Sequence, residues 1–161
     1  MSTRISKICL LAVACAAMSG PALSAQQGIN FGGTIGVRQF CQVILVEGGV
    51  LAQSNDQQQL SSTEVGGAAG RAQITTTSGR YSVSIDTPTG FTVMTSGGDS
   101  DVTYTSAYSL TGATTAPETS GEIETKLKRG LTDMATHFTA SRLTSPFPAG
   151  AYSSMLTVRC E

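Results

Sequence analysis

The 161-residue sequence has no tryptophan, a single histidine, 13% charged residues and only four cysteines. Each shortage removes a class of function. One imidazole, His137, cannot build a multi-histidine metal site, and no carboxylate or cysteine cluster stands near it in sequence. Its neighbours Thr136, Phe138 and Thr139 place it on the outward side of a strand. With Lys and Arg sparse and scattered, no basic patch for nucleic acid can form. No Gly-x-Ser-x-Gly elbow occurs, and Gly32-Gly33 and Gly66-Gly67 do not lead into a helix with Lys-Ser/Thr as a phosphate loop would. Asp99 and Asp101 flank a glycine-rich turn without the further oxygens or closing glutamate of a calcium loop. The chain therefore reads as a non-enzyme with no catalytic residues, metal or cofactor.

Long apolar runs are also missing, apart from one near the start. MSTRISKICLLAVACAAMSGPALSA has Arg4 and Lys7, a short apolar run from Ile8 to Met18, the breaker Pro21, and small residues around Ala25. This is the order of a secretory signal, too short for a membrane span. Cleavage after Ala25 is expected, with export as the consequence. Cys9 and Cys15 leave with residues 1–25, so Cys41 and Cys160 remain. In an oxidising compartment the simplest state of the pair is a disulfide; two free thiols are the alternative.

What is abundant is glycine, threonine and serine, arranged as short alternating runs between turns. This is the pattern of an all-β sandwich. Strands are expected over 40–46, in part of 50–70, over 71–77, at RYSVSID (Tyr81, Val83 and Ile85 inward), and at FTVMT (Phe91 and Val93 on one face). Further strands follow at DVTYTSAYSL (Val102 and Tyr104 together), over Met134 to Leu143, and in AGAYSSMLTVRCE. EIETKLKR, residues 122–129, fits either a helix or a strand with Ile123 and Leu127 on one face; the strand suits its company better. In the last segment Tyr152, Leu156, Val158 and Cys160 share a parity, with Met155 an apolar exception on the other. Cys41 likewise shares its parity with Val43 and Leu45, so both sulfurs point inward and the first and last core strands are neighbours or face each other. Seven or eight strands in one domain is an immunoglobulin-like count.

The remaining signal precedes Cys41. In GINFGGTIGVRQFCQVILV, residues Ile29, Phe31, Gly33, Ile35 and Val37 alternate up to Cys41-Gln42-Val43. With Ala149-Gly150-Ala151-Tyr152 and the alternation of SMLTV at the other end, the chain resembles a chaperone–usher pilus subunit. The resemblance implies residues 26–39 as an N-terminal extension and 40–161 as one pilin-like domain. It implies an immunoglobulin-like sandwich that is incomplete and is completed by donor-strand exchange. Ile29, Phe31, Gly33, Ile35 and Val37 would be the donor strand, with Gly33 the notch for a bulky groove residue. Tyr152, Leu156 and Val158 would lie in the last strand at the groove edge. The implied partners are other subunits joined head to tail, a periplasmic chaperone, an outer-membrane usher and a host-surface receptor. The implied location is the periplasm, then the surface pilus of a Gram-negative bacterium. A second reading keeps residues 28–37 as the domain's own first strand, in a secreted, self-complete monomer that binds a surface glycan or protein.

Overall fold

Alternation of apolar and hydroxyl side chains commits this sequence to strands, and the computed structural model, which describes residues 38–161, contains ten of them and no helix among those residues. The signal segment 1–25 and the alternating positions Ile29, Phe31, Gly33, Ile35 and Val37 lie outside the described residues. The strands are β1 (Cys41–Glu47), β2 (Ala52–Gln53), β3 (Gln59–Ser61), β4 (Gly70–Thr76), β5 (Ser82–Asp86), β6 (Val102–Gly112), β7 (Ala116–Ser120), β8 (Thr125–Lys126), β9 (Gly130–Arg142) and β10 (Thr157–Cys160). All pairings are antiparallel.

β9 is the spine of the larger sheet. One of its edges carries β6 along nearly its whole length, with β7 beyond. The other edge is shared, β4 pairing its first half and β3 its second. β1 lies outside β4, and β2 outside β3. The smaller sheet has the order β10–β5–β8. The two sheets meet through Ile74, Val83, Ile85, Tyr108, Leu110, Leu127 and Met134, all buried, which makes the domain an antiparallel sandwich. Each such aliphatic side chain contributes about 1.5–3 kcal/mol by leaving water. At one end of the sandwich an aromatic cluster continues the core. Phe91 stands edge-on to Tyr104, Phe138, Phe147 and Tyr152, with centroids 5.0–6.5 Å away.

Tyr108 joins the layers. Its ring is wholly buried, its hydroxyl donates to Ile123 O at 2.6 Å, and Thr125 Oγ1 stands at 2.7 Å with Val83 O at 3.2 Å. Tyr108→Phe keeps the ring but strands a buried carbonyl, so a loss of about 1.5–3 kcal/mol is expected in urea unfolding. A change below about 0.5 kcal/mol would show that water reaches the vacated position.

Three expectations need correction. FTVMT does not form a strand: Phe91 is buried, but Val93 is 52% exposed and makes only an isolated bridge to Ser153. The Asp99 carboxylate accepts from Phe91 N and fixes the following turn, so the chain bends away before a ladder can develop. Over 122–129 only Thr125–Lys126 is strand. Ile123 is 56% exposed while Leu127 is 1% exposed, because Ile123 N closes a turn onto Ser120 O before Leu127 N reaches Tyr81 O. The strand count rises to ten because residues 50–70 hold two short strands, β2 and β3, and because β7 pairs with β6 over 116–120, where a loop is expected. Conversely β6 exceeds its expected inward pair, since Ser106, Tyr108 and Leu110 continue the parity of Val102 and Tyr104 into the core.

Candidate functional site

The first and last strands lie in different sheets, and each ends its sheet. Among the described residues β1 pairs only with β4, and β10 only with β5, so each leaves one edge of backbone N–H and C=O groups without a strand partner. A groove made of two cavities, about 220 Å³ and about 170 Å³ in volume, begins between these edges at Leu45, Glu47 and Val158 and continues between residues 48–51 and 152–156; the cavities share Gly49, Gly70, Thr136, Ser154 and Leu156. Leu45 to Leu51 form one wall and Tyr152 to Val158 the other; Ala72, Thr136 and Phe138 lie beneath.

The walls have a consistent chemistry. Along the second one, Tyr152, Ser154, Leu156, Val158 and Cys160 are half-buried while Ser153, Met155, Thr157 and Arg159 are exposed. One row thus faces the interior without being fully covered there. At the rim Leu45 is 75% and Met155 72% exposed. Gly70 shapes the floor, because a Cβ there would come within 2.7 Å of Thr136 Oγ1. Only a residue without a side chain leaves the groove open at that point.

The two ends differ. At one, Cys41 at the head of β1 and Cys160 at the tail of β10 form a disulfide with a Cα–Cα distance of 6.3 Å and a sequence separation of 119. Beside it Arg159 donates to Asp86 at 2.5 Å, an exposed pair whose bond and charge hold the guanidinium pKa above its ordinary value. At the other end Tyr152 joins the aromatic cluster and donates to Pro148 O at 2.7 Å. Gly150 is required in the turn before it, since any Cβ would land on the Thr95 hydroxyl. Nearby, Tyr104 donates to the Asp99 carboxylate; burial first, then that bond and charge, push its pKa well above the usual phenol range.

Of the residues singled out in the sequence, the fold places Tyr152, Leu156 and Val158 along one wall of the groove and the Cys41–Cys160 bridge beyond one end of it. Sequence reasoning missed Leu51, Gly70 and Thr136, whose roles depend on pairing rather than on local pattern. It also missed Ser62, whose Oγ accepts from Phe138 N and lies 3.1 Å from Nδ1 of half-buried His137. No local signal could link residues separated by 75 positions. Among the described residues no group of three or more His, Cys, Asp and Glu side chains is placed to hold a metal ion. No protein-family model matches the sequence, and no curated protein or solved structure matches it.

Proposed function

We propose that this chain is an exported structural subunit that polymerises by lending its N-terminal segment to the groove of the next copy, as the subunits of chaperone–usher pili do. The observation that carries the reading is the apolar groove between the unpaired edges of β1 and β10. A strand laid there finds backbone partners on both sides and an apolar floor below, which is strand addition with side-chain pockets. The chain holds a segment of the right character: Ile29, Phe31, Ile35 and Val37 alternate, and Gly33 would let a bulky groove residue approach the incoming backbone. The contact is head to tail between unlike surfaces, so repetition gives an open fibre rather than a closed ring. On this reading residues 1–25 direct export and the bridge forms in the periplasm. A chaperone shields the groove until an usher exchanges it for the next subunit, and the fibre stands on the cell surface, within reach of a host receptor.

Deleting residues 26–37 tests it. The truncated domain should bind a synthetic peptide of residues 28–37, gain thermal stability in proportion to peptide concentration, and lose that gain when the peptide carries Phe31→Asp. A truncated domain that is stable alone and indifferent to the peptide would remove the proposal in favour of the self-complete monomer.

A further inference from the structure

The position of the disulfide bears on whose segment fills the groove. We infer that the Cys41–Cys160 bridge is an end stop, which makes the groove blind at one end and reserves it for residues 29–37 of a second copy rather than for the chain's own. The inference rests on the strand-insertion reading above.

A strand placed between two others holds them about 9.6 Å apart, twice the spacing of neighbours. A disulfide tolerates Cα separations of no more than about 7 Å, and here the distance is 6.3 Å. No third strand passes between Cys41 and Cys160. Beyond the bridge one cavity opens among Leu45, Leu156 and Val158, and a second continues from it to Leu51 and Tyr152.

The chain's own N-terminal segment leaves at the blocked end. Phe40 N donates to Thr77 Oγ1 at 2.9 Å, and Thr77 N donates to Phe40 O at 3.2 Å, so residue 40 continues the line of β1 past the bridge. To fill its own groove the segment would have to reverse there and retrace the closed stretch from Arg38 to Leu45, about seven residues or ~23 Å of extended chain. That path consumes residues 31–37. Only residues 26–30 of the cleaved chain would reach the open groove, and of the alternating set only Ile29 is among them. A segment arriving from another copy at the Leu51–Tyr152 end brings the whole set. The bridge thus acts as selection against the intramolecular competitor.

Isotope-mixed cross-linking of the full mature chain tests this. Chains carrying p-benzoylphenylalanine in place of Phe31, half of them ¹⁵N-labelled, are refolded together under oxidising conditions, irradiated and digested. With the bridge intact, cross-links from position 31 should map to 45–51 or 152–158, with mixed-isotope pairs in the statistical proportion for intermolecular contact. In the Cys41→Ser/Cys160→Ser chain the walls can part along their whole length, and same-isotope pairs should rise above the half expected by chance, towards all of the pairs. Same-isotope pairs dominating while the bridge is intact would overturn the end stop, as would cross-links to residues 41–43. Because the bridged chain alone can support or overturn the end stop, the test does not depend on the double variant folding. Cross-links that miss the groove in both forms would remove strand insertion itself, and the end stop with it.

Discussion

Two defective chains should restore each other once and go no further. A chain with Phe31→Asp cannot lend its segment but keeps its groove; a chain with Ser154→Trp keeps its segment but has an indole across both groove cavities. Each alone is expected to remain monomeric in sedimentation velocity. Mixed one to one, they should form a heterodimer and stop, because the remaining segment and the remaining groove in that dimer are the disabled ones. The size of the effect follows from burial. Phe31 in a pocket is worth about 2–3 kcal/mol by leaving water, and an aspartate there adds the cost of an unpaired carboxylate. At about 1.4 kcal/mol per factor of ten, assembly should weaken at least ~100-fold. A mixture that grows beyond two subunits, or variants that assemble like the parent, would contradict a head-to-tail strand exchange.

The parts of the fold legible in the sequence are those where one face of a strand is buried over several residues. Tyr81, Val83 and Ile85 show a period of two because β5 packs one face on the core and turns the other to water. The parity of Cys160 with Val158 and Leu156 is readable for the same reason, and it brings Cys41 and Cys160 to a common interior. What could not be read is what depends on partners far along the chain. β9 serves two different strands on one edge, so nothing local in its thirteen residues marks where β4 ends and β3 begins. Phe91 and Val93 alternate as a strand would, yet Asp99 bends the chain there. That is a case of side-chain hydrogen bonding overriding a weak propensity.

The groove belongs to both categories. Its walls are alternating segments visible in the sequence, but the two strands that supply them sit in different sheets and run in opposite directions. Met155 looks like a single exception in a linear reading, whereas Leu45, expected inward with Cys41 and Val43, is instead 75% exposed because no element of the described residues covers the end of β1. In three dimensions they stand on facing rims of one opening. An apolar rim around unpaired edges is what natural sheets avoid when nothing is meant to dock there.

Loss of the Cys41–Cys160 bridge should be the most costly change in the domain itself. The bond closes 119 residues, so the unfolded chain it restrains is nearly the whole domain. Chain-entropy reasoning gives about 4–5 kcal/mol for a loop of that length, and removal of native disulfides typically costs about 2–5 kcal/mol. Measured on a Phe31→Asp background, where the chain is monomeric, Cys41→Ala/Cys160→Ala should lower the urea midpoint by roughly 1–5 M at slopes of about 1–2 kcal/mol/M. The single variants supply the sharper result. Either one removes the bond completely, so Cys41→Ala and Cys160→Ala should each cost nearly as much as the double, and the sum of the singles should exceed the double by about the full bridge energy. Reduction and alkylation of the parent should move its midpoint to the same place. Singles that add up to the double would mean the two sulfurs act as separate half-buried side chains. The groove would then have lost its closed end.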